Sequence, residues 1–374
     1  MAHTRKKKSN KNDKKNKKRP QTRIPVHGAA MLPRVHVDTY GAQLRDGGEQ
    51  YGDRANKAAF AAILEEWRKA SARGGGDPLA DVPASALTKK NIATFLDSDH
   101  LEAAGLVLGV IEAYSGEFAS VITRFLRLKD WKGTERIAVG GGFRGSRVGE
   151  VVIGRAAIQL KRDGTKIDIV PIDEHVDEAA MIGALQLVPN WMLAGHDAIL
   201  AADIGGTNVR VGIVSFRFGR KKAALSEGTV VLAKKWRHAD DETPSRTRAV
   251  ERLTTTLQSL AQHATKRGLR LAPFIGIGCP GIINSDGSIK AGGQNLPGNW
   301  ESDNFNLASE LAKALPTING EEPLIIIHND AVLQGLSQVP QMLDVKRWGI
   351  LTIGTGLGNA RFSSLAQRGR RGGR

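Results

Sequence analysis

The stretch Ala201-Ala202-Asp203-Ile204-Gly205-Gly206-Thr207-Asn208-Val209-Arg210-Val211-Gly212-Ile213-Val214 constrains the fold more than any other part of the chain. Apolar Ile199-Leu200 leads in, two glycines turn the chain, and alternation resumes at Val209, Val211 and Ile213. That pattern predicts a β-hairpin with an acid entering a Gly-Gly-Thr-Asn turn. Glycines at a turn let backbone N–H groups approach an anion that a Cβ would keep away. Thr207 and Asn208 add side-chain donors for phosphate oxygens. Asp203, just before the turn, suits a Mg²⁺ ion or its bound water. The same residues equally suit an ordinary tight hairpin whose polar groups only close the turn.

A second stretch has the same grammar. Trp348-Gly349-Ile350-Leu351-Thr352-Ile353-Gly354-Thr355-Gly356-Leu357-Gly358-Asn359 is again an apolar strand running into a Gly-rich turn with a threonine. Between the two, Ile325-Ile326-Ile327-His328-Asn329-Asp330 is a strand that ends in a carboxylate. Two further pieces are Gly276-Ile277-Gly278-Cys279-Pro280-Gly281 and Asn295-Leu296-Pro297-Gly298-Asn299-Trp300. These motifs, in their order along the chain, resemble the sugar-kinase branch of the actin-like ATPases, and more narrowly the ROK family and related bacterial glucokinases.

The resemblance implies an α/β fold of two ribonuclease H-like lobes, with ATP and Mg²⁺ as cofactors and a hexose as substrate. Gly205, Gly206, Thr207 and Asn208 would face Gly354, Thr355 and Gly356 across the donor phosphates. Asp330 stands where the family keeps its general base, and Asn295 and Asn329 where it contacts the sugar. Asp330 also directly precedes a predicted helix, so an N-cap is the plainer alternative. Arg136-Ile137-Ala138-Val139-Gly140-Gly141-Gly142 matches the family's strand bordering adenosine, and Asp177–Leu185 its closing Ile-Gly-Ala helix. Both precede the first phosphate turn here, whereas the family places them after the second. The order is therefore that of a circularly permuted chain, which surface termini lying close together allow. A separate helical domain over 55–190 is the alternative.

On this reading, 1–25 is a disordered basic tail. Residues 26–195 resemble the family's C-terminal lobe and 196–320 its N-terminal lobe. Residues 321–360 carry the catalytic Asp330 and the second phosphate turn, and 361–374 is a second basic tail. Charge supports the tails: residues 1–23 carry eleven Lys/Arg against Asp13, and 361–374 carry five Arg with no acid. They hold all but one of the net +16, so the body between them is near neutral. Such tails suit nonspecific nucleic acid or polyphosphate, by counterion release, or no specific partner. No apolar run approaches the roughly 18–20 residues of a membrane helix, and no apolar stretch follows the basic N-terminus. A single cysteine, Cys279, excludes an intrachain disulfide and fits a reducing, cytoplasmic setting. The oligomeric state is left open, a homodimer included.

Helical spacing predicts helices over 55–73 (inward Ala58, Ala59, Ala62, Ile63 and Trp67), from an N-cap at Thr88 to Leu96, and over 99–128 with an interruption near Ser115-Gly116. Further helices are expected from Arg147 and over 244–268 and 305–314, with strands at 166–170, 230–236 and 274–278. Residues 26–54 read as irregular. The zinc site and Glu-x-Gly-His sugar motif of ROK kinases would fall near 27–56, where no thiol stands, so no zinc site is expected. His36 is the one relic candidate for the sugar histidine, against a plain loop residue. These departures keep a second reading open, a ROK-derived sugar sensor or regulatory protein with weakened catalysis and polyanion-binding tails. Arg210 receives no firm role beyond a charge near the phosphates.

Overall fold

The alternation after the paired glycines forms a strand because each of its faces meets a core. Val209, Val211 and Ile213 are buried with Leu253, Leu257 and Leu260 of a covering helix. Val214 and Phe216, which alternation places on the opposite face, are buried in a different cluster. The computed structural model describes residues 24–82, 89–142, 144–218 and 225–365. The expected cap at Thr88, residues 1–23 of the first tail and 366–374 of the second lie outside them.

In chain order come β1 (Val35–Tyr40), a small hairpin of β2 (Arg45–Asp46) and β3 (Glu49–Gln50), and helices α1 (Lys57–Gly74), α2 (Lys89–Leu96) and α3 (Leu101–Arg127). Next are β4 (Arg136–Gly140), α4 (Arg147–Arg162), β5 (Asp168–Pro171), α5 (Ala179–Gly183) and α6 (Asn190–Leu193). The hairpin β6 (Ala198–Ile204) and β7 (Asn208–Phe218) leads to β8 (Leu225–Arg237), α7 (Arg246–Lys266), β9 (Leu271–Cys279), β10 (Ile282–Ile283) and β11 (Ile289–Ala291). The last elements are α8 (Leu307–Ala314), β12 (Leu324–Asn329), α9 (Asp330–Ser337), β13 (Arg347–Ile353) and β14 (Leu357–Ser364).

Ten strands make two five-stranded sheets, ordered β8-β7-β6-β9-β12 and β1-β14-β13-β4-β5. In the first, β6, β7 and β8 form an antiparallel meander, and β9 and β12 add in parallel beside β6. In the second, β13, β14 and β1 form the meander, with β4 and β5 parallel beside β13. Order and direction are the same in both. Only the connectivity differs, because β1 comes from the N-terminal part of the chain and its two meander partners from the C-terminal part. Two such ribonuclease H-like lobes make the actin-like ATPase fold.

The lobes meet through α5 and α9, whose Ala180, Met181, Val332, Leu333 and Leu336 are buried between the inner faces of both sheets. The two helices approach closely because residue 183 is glycine: a Cβ there would stand 1.8 Å from the Leu333 carbonyl oxygen. Helices α1 to α4 cover the outer face of the second sheet, and α7 and α8 that of the first.

Several expectations need correction. Residues 26–54 are not irregular, since β1 is the edge strand of the second sheet. The buried face of α1 is Phe60 and Leu64, while Trp67 is 41% exposed and laps over Gly109 of α3. Helix α3 runs unbroken through Ser115, whose hydroxyl donates back to the Ile111 carbonyl at 2.6 Å. Among the described residues, α3 is also one helix long and apolar enough to cross a membrane by length and composition, although more than half of that stretch is packed inside the lobe. The second tail was drawn from residue 361, yet 361–364 belong to β14. There Arg361 is buried and donates to Asp38 and to the Lys132 carbonyl.

Candidate active site

The two Gly-Thr turns face each other. In the first, the Gly205 N–H donates to the Asn208 carbonyl at 2.9 Å, and His238 Nε2 lies 2.9 Å from the Gly205 carbonyl oxygen. In the second, the Gly354 N–H donates to the Gly356 carbonyl at 3.0 Å, and the Lys57 N–H to the Gly354 carbonyl at 3.0 Å. The second turn is thereby tied to the start of α1, where the Asn56 side chain caps the helix through the Ala59 N–H. Across the gap, Thr207 Oγ1 and Thr355 Oγ1 are 3.1 Å apart. Between the lobes lies one cleft of about 1600 Å³.

Asp330 lies on the floor of this cleft as the first residue of α9. It is not the cap. Asn329 is, accepting from the Val332 N–H at 3.2 Å while its amide N–H donates to the Gly281 carbonyl at 3.1 Å. Both ends of the Asn329 amide therefore hold the protein's own backbone, and the residue positions Asp330 instead of presenting a free amide to a sugar. Asp330 keeps some access to the cleft, but protein encloses it on its other sides. Burial, and next the negative charge of Asp203, push its carboxyl up to about 7, partly offset by backbone N–H groups and Arg210.

Asp203, the last residue but one of β6, is almost fully buried, and its Oδ2 accepts from Arg210 at 3.0 Å. Burial raises its pKa against the pull of that guanidinium. Arg210, opposite Asp203 in the hairpin register, also donates from Nε to Asp177. Lys235 Nζ reaches both Asp177 oxygens, at 3.0 and 2.9 Å. Burial opposes ionisation of Asp177, but hydrogen bonds from Lys235 and Arg210 outweigh it and hold the carboxyl below its ordinary value. Arg210 thus bridges the acid before the first Gly-Thr turn to the segment before α5. Cys279 is fully buried, and burial with the charges of Asp330 and Asp203 raises its thiol well above the ordinary value, which makes it a packing residue.

Gly141 and Gly142 line the cleft, but Gly140 does not. Gly140 is buried at the end of β4, where a Cβ would crowd Ile172 at 3.1 Å and Gln334 at 3.2 Å. The glycine that borders the cleft at this strand end is Gly141, whose φ of +81° and closeness to Ile353 demand glycine. Beside these glycines the cleft continues into an apolar recess lined by Phe60, Leu64, Ile92 and Ala93, of a kind that suits a nucleobase. Asn295 is exposed at the opposite wall, its Cβ 3.1 Å from where a Gly206 Cβ would stand. His36 is in neither a loop nor the cleft: it sits in β1 with Nδ1 2.8 Å from Asp38 Oδ1.

The donors fit a Mg²⁺-nucleotide. Two glycine turns leave room for phosphates, and the acid beside them is an oxygen ligand of the hard type this ion prefers. Among the described residues no three His, Cys, Asp or Glu side chains gather as a metal cage, so such an ion would be held largely through phosphates and water. Sequence reading missed Asp177, Lys235 and Gln334. Only Gln334 carried a signal, standing four residues after Asp330 on a predicted helix.

No protein-family model matches the chain, and no curated protein matches it. Among solved structures it is similar to Lmo2764 of Listeria monocytogenes, a candidate N-acetylmannosamine kinase, with 25% identity, 46% of this chain and 51% of that chain covered, and a TM-score of 0.32. A candidate sugar kinase from Cytophaga hutchinsonii matches with 21% identity over 46% of this chain and 50% of that one, TM-score 0.33. The Aquifex aeolicus Ppx/GppA phosphatase matches with 14% identity over 44% and 50%, TM-score 0.25. The chain thus spans about half the length of these proteins.

Proposed function

We propose that this chain is an ATP-dependent sugar kinase, similar to the ROK family and bacterial glucokinases, that phosphorylates a hexose hydroxyl with Asp330 as general base. The observation that carries the proposal is Asp330 itself, a carboxyl on the cleft floor between two facing Gly-Thr turns. A base whose pKa is about 7 is half ionised at neutral pH and returns its proton readily. The hydroxyl oxygen would attack the terminal phosphorus, the bond to the bridging oxygen of ADP would break, and the hydroxyl proton would pass to Asp330. The Gly205–Asn208 and Gly354–Gly356 turns would hold the donor phosphates from opposite lobes, and Asp203 would meet the Mg²⁺ water shell. Bound Mg²⁺ supplies charge neutralisation of those phosphates. The recess beside Gly141 and Gly142 would take the base, and Asn295 a sugar hydroxyl.

The shared strand order of the two sheets supports reading the chain as a circular permutant of such a kinase, working where ATP is abundant, in the cytoplasm. The place of His36, the candidate sugar histidine, in β1 and outside the cleft favours a second reading, a sugar-binding protein without turnover. ADP release against a panel of neutral hexoses and hexosamines separates the two. Sugar-dependent release by at least one acceptor is expected. ATP binding without release on any sugar would replace the first reading with the second.

A further inference from the structure

Gln334 is a cleft residue to which no role has yet been given. It stands four residues after Asp330 on α9, so the two side chains share one face of the helix about one turn apart. Gln334 is partly exposed and lines the cleft on the side of Gly140 and Gly141, the second lobe's wall. Its Oε1 is turned inward, 3.2 Å from where a Gly140 Cβ would stand, and is buried without a hydrogen-bond partner. Buried polar atoms are almost always paired, and an unpaired one costs stability. A leucine of similar size would fill this place without that cost. The arrangement becomes intelligible if the other end of the amide is the useful one. With Oε1 inward, the N–H₂ group is the part that can reach the cleft, as a neutral donor one turn from the base.

We propose that Gln334 is a phosphate-binding residue, whose amide N–H₂ donates to an oxygen of the donor's terminal phosphate. The inference rests on the kinase reading above. A neutral amide suits this place because a cation there would pair with Asp330 and quench the base, whereas an acid would repel the donor. Hydrogen bonds to charged phosphate oxygens are among the stronger ones, so the loss of one is readable as binding.

The test compares Gln334→Leu with the full-length parent in three measurements: calorimetric binding of the β,γ-imido analogue of ATP and of ADP, both with Mg²⁺, and thermal unfolding. Expected are a fall of about tenfold in affinity for the triphosphate, unchanged affinity for ADP, and a Tm equal to or above the parent's. Gln334→Glu should weaken triphosphate binding further, again sparing ADP. Equal losses for both nucleotides, no loss for either, or a Tm well below the parent's would each overturn the inference and leave Gln334 a packing residue. Sugar-dependent turnover by the parent is measured alongside. If the parent lacks it, the kinase reading fails on its own account. If the parent turns over and Gln334→Leu keeps full triphosphate affinity, only the inference fails.

Discussion

The two lobes repeat one strand order, yet their corresponding positions carry different chemistry. In the first lobe the residues facing each other before the turn are Asp203 and Arg210; in the second they are Thr352 and Gly358. Both turns offer backbone donors, but only the first offers a carboxylate and a cation. The contrast recurs after the fifth strand of each sheet. In the first lobe β12 leads into α9 with Asp330 at its start, and in the second β5 leads toward α5 with Asp177 just before it. Burial holds Asp330 at a raised pKa, whereas Lys235 and Arg210 hold Asp177 ionised. The repeated strand order thus presents one acid raised by burial and another held ionised by two cations. Environments that drive two carboxyls apart in this way assign their roles.

The sharpest way to break this comparison is to neutralise each acid in turn. Asp330→Asn should lower sugar-dependent ADP production by about 10²- to 10⁴-fold while nucleotide binding is retained. Asp177→Asn should cost far less. Equal losses, measured in the same coupled assay, would mean that the two acids are not divided as described.

The next effect concerns the turns. Asp203→Asn should raise the Mg²⁺ concentration for half-maximal turnover by about 10- to 100-fold, the range seen when a group that orients a metal's ligands is lost. Thr352→Val, at the matching place in the other hairpin, should leave that requirement nearly unchanged. A titration of turnover against Mg²⁺ in both variants decides it.

A smaller effect lies in pH. Asp330 must be ionised to act, so kcat/KM should rise with pH along a limb centred near 7. Stability should run the other way. The folded pKa lies above the ordinary carboxyl value of 3.8, so the folded state binds the proton more tightly. The stability this contributes is complete below pH 3.8 and is lost as pH rises through 7. Asp330→Asn should therefore raise Tm by a few degrees at pH 8 and by almost nothing near pH 3. An unchanged Tm at pH 8 would contradict the enclosed setting of the carboxyl.

Least affected should be turnover after removal of residues 1–25, because every residue assigned to the cleft lies beyond them. What should change is the salt dependence of nucleic-acid or polyphosphate binding, which flattens as fewer counterions are released. Loss of ATP-dependent turnover with folding intact would place those lysines at the donor phosphates.

Much of this site was legible before any coordinate. Glycines that interrupt apolar alternation announce a turn, and both Gly-Thr turns fall where that pattern puts them. Asp330 could be singled out because strand β12 ends and a helix begins beside it, a boundary written in local periodicity. The caps of α7 and α8, Ser245 and Asn306, each lie one residue inside the helix starts expected at 244 and 305. By contrast, β1 stayed hidden because its six residues become a strand by pairing with β14, near the other end of the chain. The inward face of α1 was misplaced for a related reason. Several small and apolar residues share that helix, and only contact with α3 decides that Phe60 and Leu64 are the buried ones.

The sequence by itself determined most of the elements, the two turns and the order in which they come, since each depends on neighbours within a few positions. Tertiary structure decided the rest. It brought Thr207 within reach of Thr355, joined Arg210 to Asp177 as well as to Asp203, turned the Gln334 oxygen inward and separated the acidities of Asp330 and Asp177. Desolvation and charge pairing act over a few ångströms of space whatever the distance along the chain, so no local pattern records them.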